Sequence, residues 1–120
     1  MAAYQGPPNR LARYEQVVKA APGIERKGAT MPYTSRYGHM FSFLDPTGSM
    51  ALRLPPDARE TFLSDYSSRL AEQNGHTLPE YVVVPDALLD RTDELRPWLV
   101  RSHDWIGTLA PKPTTRRPRS

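Results

Sequence analysis

Four residues near the middle of the chain, Asp45-Pro46-Thr47-Gly48, leave the backbone little choice. Proline holds φ near −65°, and Gly48 then supplies a left-handed residue at no steric cost. The chain must reverse there. Before the turn, His39-Met40-Phe41-Ser42-Phe43-Leu44 is aromatic-rich and extended in character; after it, residues 49–54 alternate. Two strands around a short Pro/Gly loop make a hairpin. A weaker reversal at Ser35-Arg36-Tyr37-Gly38 would pair 27–34 with 39–44, so residues 27–55 are predicted as a three-stranded meander.

Period two sorts the middle strand into two faces. His39, Phe41 and Phe43 are expected to face the core. Met40, Ser42 and Leu44 fall on the other side, too apolar for a freely solvated surface. A strand apolar on both faces is usually covered twice. The second cover is expected to be another helix or another subunit.

The flanks supply the helices. Asn9 is read as the cap of a helix running to about Ala21, with Leu11, Tyr14, Val18 and Ala21 as its apolar stripe and Pro22-Gly23 as its stop. Leu54-Pro55-Pro56-Asp57 ends the third strand and opens a second helix. That helix takes Phe62, Leu63, Tyr66 and Leu70 as its stripe and Asn74-Gly75 as its end. Glu80-Tyr81-Val82-Val83-Val84 is a fourth strand, with a short fifth near Thr77–Leu78 an open alternative. Asp86 caps a brief turn, and a last helix from Thr92 or Asp93 carries both tryptophans. The order α-β-β-β-α-β-α, with short turns between successive strands, predicts a two-layer α+β fold with a mostly antiparallel sheet. The domain is expected over 9–110, between a loose lead-in at 1–8 and a disordered basic tail at 111–120.

Composition excludes several classes. The 120 residues contain no cysteine, which removes disulfides, thiol catalysis and cysteine metal sites. No apolar signal segment or bilayer-length apolar run occurs, so a cytoplasmic protein without membrane contact is expected. The net charge of +3 is local: Lys112, Arg116, Arg117 and Arg119 carry four positive charges in the last ten residues, leaving 12 basic against 13 acidic residues elsewhere. A nucleic-acid role would therefore run through that tail alone.

Catalytic signatures are missing. The three histidines are not spaced as ligands on a helix, and neither a metal nor another cofactor is expected. Ser35, His39 and Asp45 could be written as a triad, but no nucleophile elbow supports it. The densest polar group is the turn Tyr33, Thr34, Ser35, Arg36 and Tyr37 with His39, which mixes residue types favoured at interfaces. From this turn Tyr33, Ser35, Arg36, Tyr37 and His39, with Met40, Ser42, Leu44 and Arg53 of the uncovered face and its edge, are the candidate interface or ligand residues.

Two stretches resemble the N-terminal domain of the TfoX/Sxy family. They are Lys27-Gly28-Ala29-Thr30-Met31-Pro32-Tyr33-Thr34-Ser35 with Gly38-His39-Met40-Phe41-Ser42-Phe43-Leu44, and Tyr81-Val82-Val83-Val84-Pro85-Asp86-Ala87-Leu88-Leu89 with Leu109-Ala110-Pro111-Lys112-Pro113-Thr114. The resemblance implies a small bacterial protein with a secretion-chaperone-like α+β fold, often dimeric. Its founding members are competence regulators that assist transcription, and it transfers no catalytic residue. The expectation is a non-enzymatic interaction or regulatory module that pairs with itself and with an unidentified protein. The alternatives are a transcriptional regulator acting through the tail, or a small-ligand binder at the Tyr33–His39 turn.

Overall fold

The computed structural model describes residues 4–110. Four helices and five strands follow in order: α1 (Pro8–Ala20), β1 (Tyr33–Arg36), β2 (His39–Leu44), β3 (Met50–Arg53), α2 (Pro56–Asp65), β4 (Leu70–Gln73), β5 (His76–Val84), α3 (Asp86–Leu89) and α4 (Thr92–Ile106). The strands form one antiparallel sheet in the order β1-β2-β3-β5-β4. This is the expected two-layer α+β fold. No helix among the described residues is long and apolar enough to cross a membrane.

The helices share one side of the sheet. Tyr14, Val17 and Val18 of α1, Phe62 of α2, Leu88 and Leu89 of α3, and Leu95, Leu99 and Ile106 of α4 pack on Phe41, Leu44, Met50, Leu52, Val82 and Val84 of the strands. Ser102 of α4 donates to the Arg53 carbonyl on β3 and fixes that helix along the sheet.

Several expectations are corrected. α1 starts at Pro8 with Pro7 before it, so Asn9 lies inside the first turn and caps nothing. The first strand is shorter than 27–34; only an isolated bridge between Lys27 and Tyr33 precedes Tyr33–Arg36. The second helix stops at Asp65. Ser67 takes a left-handed φ of 48° just beyond it, and Leu70 begins β4 instead of extending a helical stripe. Asn74 and Gly75, at φ 54° and 79°, are then a two-residue hairpin turn into β5. Both residues have the positive φ that such a turn requires.

The most consequential correction concerns β2. Thr34 pairs with Ser42 but Ser35 pairs with Met40, so Phe41 is an extra residue in the ladder, a β-bulge. The bulge breaks the alternation. Phe41, Ser42 and Leu44 all turn toward the helices, while Met40 and Phe43 turn away. Ser42 and Leu44 therefore belong to the buried side and are both 0% exposed.

Candidate functional site

A second apolar cluster fills the side of the sheet on which, among the described residues, no helix packs. Phe43, Ala51 and Ala71 lie at its centre, and Met31, Tyr33, Met40, Leu78, Tyr81 and Val83 surround them half-buried. Phe43 is only 2% exposed. The sheet covers it by curling. Tyr81 on β5 donates its hydroxyl to the Met40 carbonyl on β2, across the intervening strand, and its ring tilts against Phe43 at 5.7 Å. Gln73 on edge strand β4 brings its amide within 3.5 Å of the Met31 sulfur, two residues before the opposite edge strand. In a flat sheet the two edges would stand about 19 Å apart, at ~4.8 Å per strand. This side is thus a concave face with half-buried aromatic and methionine side chains around its rim.

Burial raises the pKa of Tyr81, with Arg53 pulling it down and Glu80 pushing it up. Arg53 contacts Glu80 at 2.7 Å and lies over the Trp105 ring, which places it at the margin between this face and α4. Near the opposite margin, Arg69 and Glu72 of the β4 region are exposed.

One end of the face opens into a cleft of about 210 Å³ beside the Asp45–Ser49 turn. Its floor is Phe43, Ala51, Ala71 and Val83, and Asp45, Arg69 and Glu72 stand around it. Ala51 sits directly between Phe43 and Val83 in register, so a methyl group occupies a place flanked by larger side chains. That small side chain makes the hollow. Sequence reading missed the cleft; the signal for it was an alanine in each of two strands otherwise rich in larger residues.

The turn singled out from the sequence is mostly engaged in holding the fold. Arg36 Nη1 donates to the His103 carbonyl at 2.8 Å and lies 3.4 Å from its Nδ1, which caps the C-terminal turn of α4. His39 Nε2 pairs with the Ala110 carbonyl at 2.7 Å, and Lys27 Nζ donates to Ser35 Oγ at 2.9 Å. Tyr37 is half-exposed at the tip, with the Arg36 guanidinium 5.0 Å from its ring centre. Tyr33 belongs to the second cluster. Ser35, His39 and Asp45 are each bonded to other groups, and no hydrogen bond links any two of them. Ser42 forms a buried chain with Tyr14 and Thr34 on the helix side and is closed to any partner. Of the nine candidate residues, Tyr33 and Met40 share the concave face and Arg53 its margin. The structure does not bring the others to it. Among the described residues no group of three or more His, Asp or Glu could hold a metal. Lys112, Arg116, Arg117 and Arg119 lie outside the described residues.

The chain is thus defined as a two-layer α+β protein with a curled antiparallel sheet, helices on one side and an apolar concave face on the other. No family model matches it, and neither a curated protein nor a solved structure matches it at a significant level.

Proposed function

We propose that this protein is a non-enzymatic interaction module that self-associates through the helix-free face of its sheet. One observation carries the reading: this face gathers Met31, Tyr33, Met40, Leu78, Tyr81 and Val83, all half-buried, around a core that no helix of the described residues covers. Aromatic residues and methionine are enriched at the buried centres of protein interfaces. The margin carries both charge signs, Arg53 with Glu80 on one side and Arg69 with Glu72 near the other. A surface of mixed sign suits a two-fold contact, in which one patch must complement itself. The resemblance to the TfoX/Sxy N-terminal domain supports the same reading, since it implies a non-enzymatic and often dimeric module.

Hydrogen exchange at high and low protein concentration tests it. Amides in 31–33, 40–43 and 78–83 gain protection on concentration, while α1 and α2 do not change. Equal exchange at both concentrations contradicts self-association; protection that appears only with a different protein present makes that protein the occupant.

A further inference from the structure

The cleft beside the Asp45–Ser49 turn sets charges of both signs over an apolar floor. Its volume of about 210 Å³ is room for a small ligand. The floor of Phe43, Ala51, Ala71 and Val83 is apolar. The charges around it are not spent on one another. Among the described residues Arg69 makes no side-chain hydrogen bond or ion pair, although Asp45 and Glu72 line the same cleft. Asp45 directs only Oδ1 into its own turn, toward the Thr47 amide and hydroxyl and the Ser49 amide. Its second carboxylate oxygen makes no such bond.

This pattern selects among ligands. A phosphate or other pure anion would meet one guanidinium and two carboxylates, a net repulsive setting. A pure cation would leave the guanidinium unmatched. A ligand with both charges satisfies each group: its carboxylate pairs with the planar fork of Arg69, and its ammonium lies toward Asp45 and Glu72. The apolar floor then receives a hydrocarbon side chain. We propose that this cleft binds a free α-amino acid with an apolar side chain. The proposal needs no second chain, although Phe43, Val83, Arg69 and Glu72 also belong to the face and margin proposed above for self-association.

Calorimetry and thermal denaturation of the full chain test it, with L-valine, L-leucine, L-isoleucine and L-methionine as probes. Isovalerate lacks the ammonium, isoamylamine lacks the carboxylate, and inorganic phosphate serves as an anion control. At least one of the four amino acids should bind and raise the melting temperature, and neither half-molecule should match it. Arg69→Ala removes an exposed side chain with no partner among the described residues, so its fold is expected to persist while affinity falls at least about tenfold. Ala51→Val fills the hollow and should also abolish binding. Failure of all four amino acids at millimolar concentration overturns the proposal. So does binding that survives Arg69→Ala unchanged, or phosphate binding stronger than that of any amino acid.

Discussion

The Tyr14 hydroxyl on α1 lies 2.7 Å from the Ser42 hydroxyl on β2, and Ser42 lies 2.6 Å from Thr34 on β1. All three side chains are fully buried. They form one chain of hydroxyls that ties the first helix to the edge of the sheet, with Ser42 as its only shared member. Ser42→Ala strips the partner from both neighbours and is expected to destabilise the protein by about 1–3 kcal/mol. Tyr14→Phe leaves the Thr34–Ser42 pair intact and should cost about 1 kcal/mol. Urea denaturation ranks the two; a larger loss for Tyr14→Phe would contradict the arrangement.

Burial holds the Tyr14 pKa well above its usual value, partly offset by its hydrogen bond to Ser42 and by the nearby Thr34 hydroxyl and Arg26 charge. The folded protein therefore keeps this proton at pH values where the unfolded chain loses it. The stabilisation is complete below pH ~10 and is lost as pH rises from there toward the folded value. Its steepest slope for one proton is about 1.4 kcal/mol per pH unit. Urea midpoints measured from pH 8 to 11.5 should fall above pH 10, and Tyr14→Phe should flatten that fall. Burial also raises Tyr81, which adds a smaller loss in the same range.

Arg36 reads as a structural residue. Its guanidinium caps the last turn of α4 through the His103 carbonyl, and a side chain at Gly107 would collide with it. A cation at a helix C-terminus offsets the dipole as well as satisfying a carbonyl. Arg36→Ala should cost about 1–2 kcal/mol and raise amide exchange in 103–109. Arg36→Lys should recover only part of this, because a point charge lacks the planar fork. Unchanged exchange in that segment would contradict the role.

Two glycines with positive φ separate conformational cost from steric cost. A Cβ at Gly75 meets nothing within 4 Å, so Gly75→Ala pays for its φ of 79° alone, about 1 kcal/mol. A Cβ at Gly48, at φ 91°, would also come within 2.8 Å of Arg10 Cγ. Gly48→Ala should therefore destabilise more than Gly75→Ala in thermal melts. Equal losses would mean that Arg10 moves aside freely.

The architecture was largely legible because strong local chemistry agrees with it. The Asp45–Gly48 turn, the Pro56 helix start, the three valines of β5 and the tryptophan-bearing helix all read true. Two places did not. Asn74-Gly75 suits a helix end and a hairpin turn equally, and Leu70 fits either a helical stripe or a strand. A left-handed Ser67 decides between them, and nothing marks a serine for that conformation. The bulge at Phe41 is equally silent. It adds one residue, and parity then moves Phe43 from the expected core to the concave face and Ser42 with Leu44 into the core. The candidate site shifted with them. The apolar face exists, but its residues are Met31, Tyr33, Met40 and Phe43 together with side chains from β3, β4 and β5.

Sedimentation equilibrium at micromolar concentration, on the wild type and on Leu78→Lys, tests the central claim most directly. Leu78 lies half-buried in the second cluster and outside the main core, so circular dichroism should show an intact fold in the variant. The wild type is predicted to sediment at twice the chain mass and Leu78→Lys at the chain mass. A wild type that sediments as a monomer across the micromolar range would contradict self-association through this face.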